Sequence, residues 1–546
     1  MLSRLLRTLF RRGEASAHAA RADTSLDSAR ARLAAGDVTG ALRSIDDALR
    51  AYPQSVEVCN GAGILKLHMR DYAGARRCFE RILELAPEHG EARTNLAIVL
   101  LEQGHRGAGV GHLREAITHA PQLLSPRENL AILLTHELSP DAVPAWDEVL
   151  KLAPDHAKAH AGKAFLLLRE GRIEESATLY ARARALGVSA ADVGLEEAAI
   201  RAWRGDIEGA VAQAEALRGE REDADIDWQL ALAHLAAGDF TRGWPLYDAR
   251  LRRTFESPRR PYGFPEWDGA RLDHGALLIM GEQGLGDEIM FASCYGEALE
   301  RAGRGVIECE PRLAALFARS FPHAQVVGHA RSGADPAIAG DGHITCQIHA
   351  GSLPRLFRPD VQSFPQRAGY LVPDPARVHE WRVRLRQGHT RRVIGLAWRG
   401  GLHHTRRALR SIPLAEFAPL LRIPDAEFVS LQHDDDGRDA CALAAAAGVR
   451  VHAYPETLQD LDETAALVSA LDGVASACGS VVHLCGALAM PTFVLTPTIA
   501  EWRYLARGHA MPWYPTVRLS RQLRSGCWSD VIEEVRSHLC KVYVRN

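Results

Sequence analysis

Residues Ala276–Gly296 read ALLIMGEQGLGDEIMFASCYG: an apolar strand, a loop holding Gly281, Gly284 and Gly286, and a helix led by acid. This order places Asp287 at the carboxyl end of a first parallel strand, where open α/β sheets gather their ligands. A carboxylate is ionised at neutral pH and can take a proton from a hydroxyl as that oxygen attacks carbon. Gly284 and Gly286 would let a substrate approach the backbone closely. The same aspartate also suits a helix N-cap, a role worth about 1 kcal/mol. The two roles are compatible, because a cap fixes a base in place.

A second constellation is Ala477-Cys478-Gly479-Ser480-Val481-Val482-His483, where a strand ends and a helix begins. The unpaired N–H groups of Gly479, Ser480 and Val481 would form an anion site suited to a nucleotide diphosphate. His483, one turn further, is either a donor to that phosphate or a satisfied core histidine. Cys478 has no neighbouring base in sequence to make it a nucleophile. A third is the glycine-rich loop Trp398–Ser411, with Arg399, Arg406, Arg407, Arg410, His403 and His404. Cations of this kind are needed where charge develops on a leaving diphosphate without Mg²⁺; otherwise the loop is a solvated basic one. His343, Cys346 and His349 have ligand-like spacing, but a strand would send them to opposite faces, so no metal site is expected.

Bulk composition limits the classes. A chain of 546 residues should form two to four domains. Its 47% hydrophobic and 24% charged residues are ordinary for a folded protein, and a net charge of −3 gives no reason to expect nucleic-acid binding. No apolar run reaches the ~18 residues that span a bilayer. The ten cysteines include no CxxC pair, which fits reduced thiols in a cytoplasmic setting. Residues 1–21 form a basic leader, with Arg4, Arg7, Arg11 and Arg12 among Leu2, Leu5, Leu6, Leu9 and Phe10. The apolar stretch is too short for a secretory signal, though peripheral contact with an anionic membrane surface would suit it.

The first third keeps two beats. Pro53, Pro87, Pro121 and Pro154 are spaced by 34, 34 and 33 residues, and Val188 and Glu222 continue the register without proline. Between them fall helix–helix turns at Gly36, Arg70, Gly104, Gly171, Gly205 and Gly238. Helix, turn, helix, proline resembles the tetratricopeptide repeat, whose period is about 34 residues. The array is expected over residues 22–253, stacked into a solenoid whose groove takes a protein, peptide or glycan partner. Glu137-Leu138-Ser139-Pro140 replaces one turn and predicts a distorted junction. Proline-rich residues 254–272 read as a linker.

From Ala276 short apolar strands alternate with helices, which argues for parallel sheets. One set runs ALLIM, VIEC, QVV and ITCQI, closed by a helix over Pro375–Arg386. A second runs RRVIGLAW, EFVSL, VRVHAY, GVASA and TFVL, with helices over Thr464–Leu471, Ser480–Ala489 and Trp528–Cys540. The fold class is therefore an α solenoid followed by α/β, with two Rossmann-like lobes over 273–388 and 389–546 that face a cleft.

The ordered segments GEQGLGDEIMF, GLAWRGG…LRSIPL, FVSLQ, ASACGSVVHLCGALAMPTFVL and WYPTVRL resemble bacterial tetratricopeptide-fused glycosyltransferases. These are related to the heptosyltransferases and, more distantly, to O-GlcNAc transferases, and the likeness covers residues 240–546. It implies a GT-B pair of lobes, the acceptor in the first and a nucleotide-sugar donor in the second, with no cofactor and no obligatory metal. It implies Asp287 as the base and Arg410 with Ser411, Gln432, Gly479, Ser480, Val481 and His483 around the donor. His433 stands where relatives often place Lys. The chain also departs from that pattern: Cys478-Gly479 replaces an Asp-Thr pair, and Ala489-Met490 replaces Gly-Lys.

The function expected is inverting, metal-independent glycosyl transfer to an acceptor hydroxyl. The alternative is a non-catalytic scaffold with a degenerate transferase region. A dinucleotide-dependent oxidoreductase, suggested by Glu308 and Glu310 after the second strand, fails because the loop is GxxGxG and its acids would repel a pyrophosphate.

Overall fold

The computed structural model describes residues 27–29, 31–220, 222–253, 262–330, 334–367, 369–387, 391–401, 407–433 and 437–542. The basic leader, the start of the 254–272 segment and residues 402–406 of the arginine-rich loop lie outside the described residues. The chain divides into two compact units, one of residues 1–167 with 174–188 and one of residues 168–173 with 189–546. The division falls inside the repeat array and not at its end.

The first unit is helical repeats. Helices Val38–Ala51, Val56–His68, Tyr72–Leu85, Gly90–Glu102, Arg106–His119, Leu124–His136, Ala142–Leu152 and Ile173–Ala185 alternate with short turns, and most of Ala157–Glu170 belongs with them. Gly63 and Phe79 illustrate the packing: a Cβ on Gly63 would lie 2.6 Å from the Phe79 ring, which is fully buried. Small against large is how consecutive helices close without voids. The turn beat holds along the whole array, in both units. Gly36, Arg70, Gly104, Gly171, Gly205 and Gly238 all have left-handed φ, and so has Leu138 at 51°. The irregular turn therefore keeps the reversal of the others. Its effect is downstream, where the next helix starts late and is 11 residues long.

The second unit continues the repeats with helices Ala190–Trp203, Ile207–Glu220, Ala224–Ala237 and Phe240–Tyr247, and then carries two parallel sheets. The first holds β1 (Ala276–Met280), β2 (Gly305–Cys309), β3 (Ala324–Gly328) and β4 (Ile344–His349), in the order β3-β2-β1-β4. The second holds β5 (Arg392–Ala397), β6 (Ala426–Ser430), β7 (Val451–Ala453), β8 (Gly473–Ala477), β9 (Thr492–Thr496) and β10 (Val517–Arg521), in the order β10-β9-β8-β5-β6-β7. Every strand pair is parallel, and β1, β2 and β8 are buried along their whole length. Strands covered on both faces by helices need to be continuously apolar. The order reverses between β1 and β4 and between β5 and β8, the positions at which open parallel sheets commonly place their ligands, beyond the carboxyl ends of the strands.

The sequence did not mark β10, whose residues are only half apolar. The segment read as linker is also structured where it is described. Gln347 in β4 donates its N–H to Pro265, and its carbonyl accepts from Trp267, so this stretch lies along the open edge of the sheet. Helix Phe240–Tyr247 shares its core with both sheets: Trp244 and Tyr247 pack on Trp502, and Trp244 donates to the Arg358 carbonyl at 2.8 Å.

Candidate functional site

The GEQG loop after β1 is fixed from below. Glu282 is fully buried and takes two hydrogen bonds from Arg250, at 2.7 and 2.8 Å, and one from the Gly351 N–H at 2.6 Å. Burial pushes its carboxyl upward, but the Arg250 guanidinium overrides this and holds it down to about 2. Arg250 also binds Asp248 and Ser352, so the charge pair is fully hydrogen-bonded. Gln283 then adopts a left-handed φ of 62°, with its amide on the Tyr247 hydroxyl at 3.0 Å. An uncommon backbone held by a side-chain clamp turns the chain toward Gly284 and Asp287.

Asp287 is the third residue of the Leu285–Phe291 helix and not its N-cap. Its carboxylate reaches back to the Gly284 N–H at 3.2 Å, so the capping role is present in that form. Its other oxygen accepts from Arg503 Nε at 2.6 Å, across 216 residues of sequence. Arg503 continues to Glu501 at 3.7 Å, and Glu501 pairs with Arg410 at 2.8 Å. Asp287, Arg503, Glu501 and Arg410 thus form one alternating chain of charge from the first sheet's loop to the second sheet's loop. All four side chains are at most 22% exposed, so solvent screens the chain weakly.

Gly286 brings the two helix starts together. A Cβ there would lie 2.9 Å from His483 Cδ2 and 3.2 Å from Ser480 Cα. The amino-terminal turns of helices Leu285–Phe291 and Ser480–Ala487 therefore meet, and each carries the positive partial charge of a helix start. Ser480 and Val481 are half-buried there, and Gly479 is in extended backbone. The special glycine is one the sequence did not single out: a Cβ on Gly400 would fall 1.8 Å from the Cys478 carbonyl oxygen, so only glycine lets the loops after β5 and β8 touch.

The remaining expected donor residues serve the fold more visibly than a ligand. His483 is buried with Nδ1 3.1 Å from the Tyr514 hydroxyl. Burial first, then Arg503, lowers its pKa to about 3, so it stands neutral and supplies no positive charge to a phosphate. Gln432 is buried, and its Oε1 accepts from Trp398 N at 3.1 Å and Arg399 N at 2.9 Å. The Ser411 hydroxyl bonds the Arg407 carbonyl within its own loop. Cys478 is buried, and burial raises its thiol to about 12, which removes the thiolate. Ala489, at the glycine position of the related pattern, has a left-handed φ of 63°, and Met490 beside it is buried in the core. Among the described residues no three His, Cys, Asp or Glu side chains gather to hold a metal.

Sequence reasoning missed Glu501, Arg503, Tyr504 and Tyr514. A signal was available for two of them, since Glu501-Trp502-Arg503 follows the carboxyl end of an apolar strand as Asp287 does. The Tyr504 hydroxyl, near Cys478, Glu501 and Arg410, is buried without a hydrogen-bond partner among the described residues.

Comparison with known proteins addresses both units. Residues 60–122 and 132–191 match the tetratricopeptide repeat family model. Protein FlbA of Caulobacter vibrioides (strain ATCC 19089 / CIP 103742 / CB 15) is 30% identical over 525 residues, covering 93% of this chain and 82% of FlbA. Among solved structures, Pseudomonas aeruginosa PilF is 18% identical over 38% of this chain and 94% of its own, with a TM-score of 0.34. A tetratricopeptide repeat protein of Parabacteroides merdae ATCC 43184 is 16% identical over 41% and 90%, also at 0.34. No helix among the described residues is long and apolar enough to cross a membrane.

Proposed function

The chain belongs to the family of the Caulobacter vibrioides protein FlbA, and from that premise we propose that its second unit is a GT-B-type glycosyltransferase, its repeats recruiting a protein or glycan acceptor. One observation carries the reading. The charge chain Asp287–Arg503–Glu501–Arg410 joins a carboxylate after β1 to Arg410 after β5, two of the strands at which the sheet orders reverse, through Arg503 and Glu501 after β9. Switch-point crevices are where such sheets bind ligands.

In this reading a nucleotide-sugar lies with its diphosphate toward the meeting helix starts at Gly286 and Ser480. Asp287 takes the acceptor hydroxyl proton as the acceptor oxygen bonds the anomeric carbon. The bond from that carbon to the diphosphate breaks, and the electron pair leaves on the nucleoside diphosphate. Arg503 exchanges Asp287 for the departing phosphate, and Arg410 adds its charge, so no metal is called for. His483 holds the Ser480 helix in place through Tyr514 and takes no proton.

A non-catalytic scaffold is the second reading. It is favoured by the engagement of Asp287 with Arg503 and Gly284, and by Cys478-Gly479 where relatives carry Asp-Thr. Thermal shift with ADP, GDP, UDP, CDP and their sugars separates the two. Stabilisation by a nucleoside diphosphate, lost in Arg410→Ala and kept in Asp287→Asn, supports transfer. No stabilisation by any of them supports the scaffold.

A further inference from the structure

A file of hydroxyls leads from one helix to His483. The Tyr370 hydroxyl lies 2.6 Å from the Ile289 carbonyl oxygen and 3.4 Å from the Tyr514 hydroxyl, which in turn lies 3.1 Å from His483 Nδ1. Ile289 belongs to the helix Leu285–Phe291 that carries Asp287, and His483 to the helix Ser480–Ala487. Both tyrosines are seated by that second helix. The Tyr514 ring covers Gly486, where a Cβ would fall 2.3 Å from it, and the Tyr370 N–H donates to the Ala487 carbonyl at 2.9 Å.

A count of protons gives the file a direction. Each phenol has one proton to donate. The Ile289 carbonyl can only accept, so at 2.6 Å the Tyr370 proton is committed to it. Toward Tyr514, Tyr370 is then limited to accepting. If Tyr514 donates there, its oxygen accepts from Nδ1–H, and all three links are hydrogen bonds. If Tyr514 donates to a bare Nδ1 instead, no proton lies between the two tyrosines and one link is lost. Tyr514 and His483 are buried, where an unmade hydrogen bond is costly and links running in one direction polarise one another. The neutral ring has one N–H, so a proton on Nδ1 leaves Nε2 bare. Nε2 is bonded to Cδ2, the atom that would lie 2.9 Å from a Cβ on Gly286, so this edge of the ring faces the Asp287 loop. A bare nitrogen accepts from a hydroxyl and repels a phosphate oxygen.

We infer that Tyr370 and Tyr514 are positioning residues that hold His483 in its Nδ1–H tautomer, so that Nε2 takes a hydroxyl of the sugar or ribose flanking the donor diphosphate and no phosphate oxygen. The tautomer stands on the hydrogen bonds alone. The hydroxyl rests on the nucleotide-sugar reading of this unit.

The test is long-range ¹H–¹⁵N correlation NMR of the full chain labelled in histidine, with the His483 signal identified by its loss in His483→Gln. Wild type should show a protonated Nδ1 and a bare Nε2. Tyr370→Phe removes the acceptor of the Tyr514 proton, which then turns to Nδ1, so the pattern should invert. Pyrophosphate, the diphosphates ADP, GDP, UDP and CDP, and their sugars are then added to wild type, with binding followed by isothermal titration. Pyrophosphate should leave Nε2 unprotonated. A bound donor should move Nε2 upfield, as a lone pair does on accepting a hydrogen bond. The shift appears with the nucleoside diphosphate if ribose supplies the hydroxyl, and only with the nucleotide-sugar if the sugar does. A protonated Nε2 in wild type, free or with pyrophosphate, or a pattern unchanged in Tyr370→Phe, overturns the tautomer. Should Tyr370→Phe fail to fold, the wild-type spectrum decides. A bound donor that leaves Nε2 unmoved overturns the hydroxyl contact and leaves the nucleotide reading intact. Failure of every nucleotide to bind removes that reading, and the spectra of the free proteins still decide the tautomer.

Discussion

His483 lies against Tyr514 and Tyr504 with its ring buried, and its charge state follows from that position. The neutral form is favoured in the fold, at a pKa lowered to about 3, whereas an unfolded histidine titrates near 6.5. The depressed value means that the unfolded state binds the extra proton first as pH falls. The contribution is fully present above about pH 6.5 and is lost progressively down to about pH 3. Denaturant unfolding of wild type should therefore weaken between these limits by up to about 1.4 kcal/mol per pH unit from this group, and His483→Gln should lack that component. A histidine signal from position 483 that titrates near pH 6.5 would contradict the buried, neutral assignment. A second residue-scale expectation concerns Ala489. Its left-handed φ costs an alanine about 1 kcal/mol that glycine avoids, so Ala489→Gly should be neutral or stabilise the fold, measured by the urea midpoint. Gly400→Ala should do the opposite and lower the midpoint sharply, because its Cβ meets a carbonyl oxygen and not a movable side chain.

At the scale of elements, what the sequence carried was whatever is local. The proline and glycine beats set the repeat register because each marks a helix end or a left-handed turn, and both are properties of a few adjacent residues. The strands β1 to β9 stood out as short, largely apolar runs between helical stretches, most of them well buried, though β3 and β7 are only partly so. β10 did not, since Val517–Arg521 alternates polar and apolar residues at a sheet edge. The candidate site was legible only on one side at a time. Asp287 and the Ser480 helix start were visible as separate motifs, while their link through Arg503 joins positions 216 residues apart and leaves no periodic trace. Leu138 is instructive as well: Leu138→Gly should stabilise the fold by a few tenths to about 1 kcal/mol, since the turn already has the left-handed shape that glycine adopts freely. A loss of stability in that variant would mean that the Leu138 side chain contributes more packing than its backbone costs.

At the scale of the whole molecule, the chain folds as two compact units whose boundary lies inside the repeat array. Local stability should then be unequal, and calorimetry should resolve two transitions. The Arg250–Glu282 pair belongs to the second unit, where it joins the residues after the last repeat helix to the GEQG loop. Arg250→Met leaves Glu282 buried without its partner and should cost about 3–5 kcal/mol, moving only the transition of that unit. The depressed Glu282 pKa gives a further expectation. Its contribution is present above the unfolded value near 4.3 and is lost as pH falls through about 2, so the transition of the second unit should weaken steeply in acid and less so in Glu282→Gln. A single transition displaced as a whole by Arg250→Met would contradict the division.

The central claim is that the crevice joining Asp287 to Arg410 transfers sugar. Its most direct test is single-turnover release of nucleoside diphosphate from a panel of ADP-, GDP-, UDP- and CDP-linked sugars by wild type and Asp287→Asn. The account predicts release by wild type from at least one donor, and release at least about 100-fold slower in Asp287→Asn with donor affinity unchanged. Equal rates in the two proteins, or a donor bound and never cleaved by wild type, would contradict it.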